Sequence, residues 1–194
     1  MGRISLSEAP AGFSCEEKTT LVELARESIR RGLCGEVFGV QTQQYAVALR
    51  TPRASFVTLR VERSLRGCIG SLEARRPLVE DVVENAHAAA FRDPRFPALT
   101  WPEFERLVVH LSILSAPEAL AVGSEAQLLA RLCPGVDGLI LEEGLRRGTF
   151  LPSVWEQLPE PREFLRSLKL KVGFGPDYWS GSIRVQRYTV ESIP

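Results

Sequence analysis

Apolar positions along the chain recur with two different periods, and the changes between them mark out the elements. Ser14-x-x-Glu17 is a capping box, in which the serine hydroxyl accepts from an early backbone N–H and the glutamate reaches back to the cap. Leu21, Leu24, Ala25 and Ile29 follow at helical spacing, so a helix is predicted with its stop at Gly32. From 45 to 50 the period changes to two, with Tyr45, Val47 and Leu49 on one face. Alternation returns at 56–61 and at 65–70, with turns around Pro52 and Glu62-Arg63-Ser64 between the runs. These three runs predict an antiparallel meander of three strands.

The helical period resumes after Pro77, whose missing N–H costs nothing in a first turn, and Leu78, Val79, Val82, Val83, Ala86 and Ala90 carry it to Phe91. Two prolines within Asp93-Pro94-Arg95-Phe96-Pro97 require a loop. Thr100-x-x-Glu103 caps a short helix, after which Leu107, Val109, Leu111 and Ile113 line one face of a strand. Ser124-x-x-Gln127 opens a helix that Pro134-Gly135 closes. Strands are predicted at 138–141, 149–151 and 182–190, with a turn from Gly144 to Gly148 and a helix over 161–170 that Gly173 stops. Strands and helices mix without a regular βαβ alternation. The fold class is therefore α+β, with a largely antiparallel sheet flanked by helices.

Length and composition narrow the function classes. At 194 residues the chain makes one domain, and 44% hydrophobic with 25% charged residues is an ordinary globular profile. Twenty-four basic residues balance twenty-four acidic ones, which argues against non-specific nucleic-acid binding or an anionic membrane surface. No apolar run approaches the ~20 residues of a membrane span. Met1 to Leu6 carries neither an apolar signal core nor an acylation pattern, so the expected location is cytoplasmic. Cys15, Cys34, Cys68 and Cys133 form no CxxC pair, and His87 and His110 form no HxH or HExxH, so no metal site is expected. Nucleotide and acyl-hydrolase motifs are absent, and no cofactor is expected.

The segment Leu65-Arg66-Gly67-Cys68-Ile69-Gly70 carries the most chemistry. Strand alternation sends Arg66 and Cys68 to one face, where a guanidinium beside a thiol favours the nucleophilic thiolate. Gly67 and Gly70 mark a bulge or a close approach by ligand or backbone. The plainer reading is a buried thiol, an arginine paired to a core carboxylate, and glycines that relieve crowding. Asp93 and Arg95 sit in the rigid loop, either ready for an anion or paired to each other with Phe96 as the hydrophobic anchor. A Cys68–His87 pair is the arrangement for an activated thiol, though nothing in the sequence joins them. Glu142 and Glu143 ahead of Arg146-Arg147 read as a solvated hairpin end. Lys169 and Lys171 complement the dipole of the last helix.

Phe56-Val57-Thr58-Leu59, the hexapeptide at 65–70, and Ala89-Ala90-Phe91-x-Asp93-Pro94-Arg95-Phe96 together resemble the AMMECR family. The likeness continues through Ser112-Ile113-Leu114-Ser115, Gly138 to Glu142, Thr149-Phe150-Leu151-Pro152-x-Val154 and Leu168-x-x-Lys171-x-Gly173. It runs from about Ala25 to Tyr188. The resemblance implies a single domain over 1–194 with two lobes, the larger holding both termini, and a cleft between them. It also implies company with a Memo-like protein and a radical SAM enzyme, and no settled reaction. Arg66, Gly67, Cys68, Gly70, Asp93, Arg95 and Phe96 match the family's motifs, whereas His87 stands where an aromatic is expected. The leading expectation is a small anionic ligand or peptide bound in the inter-lobe cleft beside the hexapeptide, with thiol chemistry at Cys68. The alternative is a non-catalytic partner of the Memo-like or radical SAM component. Third is a nucleic-acid module using Arg50, Arg53, Arg60 and Arg63.

Overall fold

The computed structural model describes residues 12–194, so the reading of Met1 to Leu6 lies outside the described residues. They divide into two compact units, one running to Ser112 and including Glu191–Pro194, the other Ile113–Val190. In chain order the helices are α1 (Cys15–Leu33), α2 (Val47–Arg50), α3 (Leu78–Phe91), α4 (Trp101–Phe104), α5 (Glu125–Leu129) and α6 (Pro161–Val172). The strands are β1 (Ser55–Val61), β2 (Ser64–Gly70), β3 (Leu107–Leu114), β4 (Glu118–Ala119), β5 (Gly138–Glu143), β6 (Arg146–Phe150), β7 (Arg184–Tyr188) and β8 (Val190–Ile193). They form two four-stranded sheets, ordered β2-β1-β3-β8 and β4-β7-β5-β6. The β1–β2, β4–β7, β5–β7 and β5–β6 pairs are antiparallel. The architecture is α+β as the pattern predicts, with two sheets where one was expected.

In the larger unit, α1 begins at the Ser14–Glu17 capping box, with both reciprocal bonds made. Its stripe of Leu21, Leu24, Ala25 and Ile29 is buried together with Leu78, Val79, Val82 and Ala86 of α3 and Val57 and Leu59 of β1. Gly32 does not stop α1. A Cβ there would lie 2.3 Å from the Phe91 ring of α3, so Gly32 sets how closely the two helices pack. The helix runs one residue further, to Leu33, and Gly35 takes the left-handed conformation at φ +74°.

Residues 45–50 are not a strand. Only Leu49 of the alternating trio is buried; Val47 is exposed, and the segment closes as α2. Three apolar residues at alternate positions are too few to impose a period when only one of them is buried. The meander is therefore the two-stranded β1–β2 hairpin.

The smaller unit packs α6 on its sheet. Leu139, Leu141, Trp155, Phe164, Leu165 and Leu168 form its core, with the Trp155 and Phe164 rings stacked at 3.8 Å. Helix α5 starts at the predicted Ser124 cap but ends at Leu129, ahead of Pro134-Gly135. Gly173 stops α6 at φ +87°. The predicted strand over 182–190 is two strands: β7 belongs to the β4-β7-β5-β6 sheet and β8 to the other. The break falls at Thr189, whose N–H and C=O both bond to Ser115. Among the described residues no helix is long and apolar enough to cross a membrane.

Candidate functional site

Strand β2 is the outer strand of its sheet, joined to β1 by a tight turn in which Glu62 and Arg63 adopt φ +50° and +70°. From Phe56↔Gly70 to Leu59↔Gly67 the pairing is regular, and it then slips so that Arg60 faces Leu65. Arg66 is the additional residue of this bulge. The slip breaks the strict alternation that put Arg66 and Cys68 on one face: Arg66 is buried and Cys68 half-buried.

Arg66 gives Nε and Nη2 to the two carboxylate oxygens of Glu103 at 2.7 and 3.1 Å, and Nη2 also donates to the Pro97 carbonyl at 2.9 Å. This bidentate pair holds the Glu103 carboxyl down to about 2. Glu103 also accepts from Thr100, so one carboxylate caps α4 and anchors β2. Nη1 of Arg66 is buried without a hydrogen-bond partner among the described residues, and the guanidinium stands 5.8 Å from the Phe96 ring centroid.

Asp93 is buried at the start of the loop after α3. Its carboxylate accepts the Cys68 backbone N–H at 2.8 Å, the Arg95 N–H at 3.1 Å, and Arg95 Nε and Nη2 at 2.9 and 2.7 Å. The Arg95 guanidinium is the main cause that holds the Asp93 carboxyl well below the ordinary carboxylate range. Arg95 Nη2 also reaches the Cys68 carbonyl at 3.2 Å. Asp93 raises the Arg95 guanidinium above its ordinary value, and the Cys68 side chain nearby adds to this. The guanidinium beside the thiol is thus that of Arg95. Its side chain is 53% exposed, it packs over Phe96 at 5.5 Å, and its Nη1 makes no hydrogen bond among the described residues. The thiol itself lies 3.3 Å from the Thr58 hydroxyl across the strand pair.

Neither glycine of the hexapeptide leaves room for a ligand where its side chain would stand. A Cβ on Gly67 would come within 2.1 Å of the Ala89 carbonyl oxygen, and one on Gly70 within 2.3 Å of the Phe56 ring. Protein fills both spaces, as in the plainer reading of the sequence.

His87 does not meet Cys68. Its ring packs against Phe91 at 4.9 Å and stands 3.5 Å from Arg92 Nη2, and burial lowers its pKa. Glu142 pairs with Arg147 at 3.6 Å, while Glu143 accepts from Tyr178, Ser180 and Ser182. Lys169 is completely buried and donates to Glu125 at 2.5 Å and the Pro176 carbonyl at 3.0 Å; Lys171 donates to the Thr149 carbonyl at 3.0 Å. Cys15, Cys34 and Cys133 are exposed free thiols. Among the described residues no group of three His, Cys, Asp or Glu side chains is placed to hold a metal ion.

Three features were not read from the sequence. Thr58 becomes the thiol's neighbour only through the register. Glu103 shows in the sequence as a cap but not as the partner of Arg66. Asp81, in the first turn of α3, is buried in a network: its carboxylate accepts from Ser55 N–H and Oγ, Asn85 Nδ2 and Arg76 Nε. Burial pushes its carboxyl above the ordinary value. Chemically, the outer edge of β2 offers a guanidinium nitrogen for an anion and, beside it, a half-buried thiol.

Comparison with known proteins gives the following. The AMMECR1 family model matches residues 22–193. A Methanocaldococcus jannaschii protein is 37% identical over 183 residues, covering 92% of this chain and 90% of that protein. A Thermotoga maritima protein is 42% identical over 139 residues, 71% of this chain and 75% of its own length. The crystal structure of an uncharacterized protein from Pyrococcus horikoshii superposes with a TM-score of 0.75 at 33% identity, over 89% of this chain and 88% of that one.

Proposed function

Starting from the fact that the chain belongs to the AMMECR1 family, whose members have no characterised function, we propose that it binds a small anionic molecule or peptide at the outer edge of β2. Arg95 receives the anion, and the Cys68 thiol lines the site and is available as a nucleophile. The observation that carries this reading is the state of Arg95. Asp93 fixes two of its nitrogens beside Cys68, while the side chain remains 53% exposed and Nη1 makes no hydrogen bond among the described residues. A guanidinium held rigid before a ligand arrives loses little freedom on binding. Arg66, expected to share this task, is occupied by Glu103 and Pro97 and supports the site from behind.

The test is alkylation of the native protein with iodoacetate and with iodoacetamide, each cysteine followed separately by peptide mass spectrometry. The two reagents differ in charge, and the exposed Cys15, Cys34 and Cys133 serve as references. Attraction to Arg95 makes the iodoacetate-to-iodoacetamide rate ratio higher at Cys68 than at the other three, and Arg95→Gln removes the excess. An equal ratio at all four cysteines, or a Cys68 protected until the protein unfolds, sinks the reading. The hexapeptide would then be architecture.

A further inference from the structure

Two observations fix which backbone groups of β2 face outward. The Ser71 N–H donates to the Ser55 carbonyl at 3.1 Å, which makes Ser55 and Ser71 a hydrogen-bonded position of the ladder. The Cys68 N–H instead leaves the sheet for Asp93. Hydrogen-bonded and non-hydrogen-bonded positions alternate in an antiparallel pair. Gly70, opposite Phe56, therefore falls with Cys68, its N–H and C=O directed away from β1. At Cys68 both outward groups are taken, the N–H by Asp93 and the C=O by Arg95. At Gly70 no described residue takes them. The edge is closed at one position by charged side chains and open at the next, and an open edge position accepts an added strand.

Resting on the reading that Arg95 receives an anion, we propose that the ligand is the C-terminal end of an extended peptide that adds to the outer edge of β2, antiparallel to it. The peptide backbone exchanges two hydrogen bonds with Gly70, which has no side chain to screen them. Running from Gly70 toward Cys68, the peptide advances two residues, about 6.8 Å at the rise of an antiparallel strand. Its terminal carboxylate then stands level with Cys68, where Asp93 closes the ladder to further chain and Nη1 of Arg95 offers a donor of opposite charge. Asp93 thus sets the length of the added strand, and Arg95 selects a chain end over a continuing chain.

Amide hydrogen exchange on the isotope-labelled full chain tests this, with three probes: a mixed-sequence octapeptide pool with free C-terminal carboxylates, the same pool amidated, and sodium acetate. The free-acid pool slows exchange of the Gly70 amide about tenfold or more, as expected for an amide newly bonded in a strand. Amidation of the pool, or Arg95→Gln, abolishes that protection. If acetate and peptides shift the Arg95 resonances alike with no protection at Gly70, strand addition is overturned while anion binding stands. Equal protection by the amidated pool overturns recognition of the terminal carboxylate. If no probe perturbs either residue, both readings fall.

Discussion

Asp93 occupies the place of a neighbouring strand: its carboxylate accepts the Cys68 amide at 2.8 Å on the open side of β2. The loop thereby fixes the backbone on both sides of the thiol. Asp93→Asn keeps the shape but puts a neutral amide against three donors of Arg95 and one of Cys68. The expected cost is about 2 kcal/mol, the range for losing a charge-assisted hydrogen bond. Chemical denaturation reads the cost, and faster exchange of the Cys68 amide locates it.

Acid weakens the same region in a defined window. Asp93 and Glu103 are both depressed in the folded protein, so their contributions are complete above the ordinary carboxylate values and disappear as pH falls through the folded ones. Glu103 loses its share between its ordinary value of 4.5 and about 2, and Asp93 continues the loss further down. The denaturation midpoint of the wild type falls across this window. The double variant Asp93→Asn/Glu103→Gln is less stable at neutral pH and shows a shallower decline. Parallel declines in the two proteins would contradict the assignment.

Gly67→Ala is expected to destabilise by about 1–3 kcal/mol, since its Cβ meets a backbone carbonyl that cannot rotate away. Gly123→Ala is the control. Its Cβ would come no closer than 3.7 Å to Gln127, and a change within about 0.5 kcal/mol is expected at such an open position. Equal effects at the two sites would remove the packing role given to Gly67.

Lys169 has its ammonium wholly out of water. Lys169→Met removes that desolvation cost, and its partner Glu125, 34% exposed, can rehydrate. A change within about 1 kcal/mol, or a gain, is expected, because buried ion pairs often break even against apolar side chains. Lys169→Ala leaves a cavity as well and costs about 2–4 kcal/mol. A thermal melt of both variants decides this, and a Met variant as damaged as the Ala variant would show the charge itself to be required.

The helices were legible where a cap and a stripe agreed, as at Ser14 with Leu21, Ala25 and Ile29, and the 93–97 loop followed from its prolines. The alternation at 45–50 misled because only Leu49 of the trio enters the core, while Val47 faces solvent and Tyr45 is half-buried. At the site, residue types were legible and their partners were not. A two-residue turn continued without a bulge pairs Thr58 with Gly67; the slip after Arg60 moves Cys68 there instead. One inserted residue also buries Arg66 against Glu103, leaving Arg95 as the exposed cation. Bulges and side-chain-to-edge bonds depend on which strand lies outermost, and that is settled only when the sheet is assembled.

The paired bonds between Ser115 and Thr189 bear on the order in which the molecule assembles. They join residues near the two ends of the smaller unit's chain, next to β3 and β8, which are neighbours in the other sheet. Pairing β3 with β8 in an otherwise unfolded chain would close a long loop at full entropic cost. Once the smaller unit has folded, the Ser115–Thr189 clasp already holds the two strand ends side by side, and the loop to be closed is short. The segment interrupting the larger unit is thus the piece whose prior folding makes that unit's last strand cheap to add.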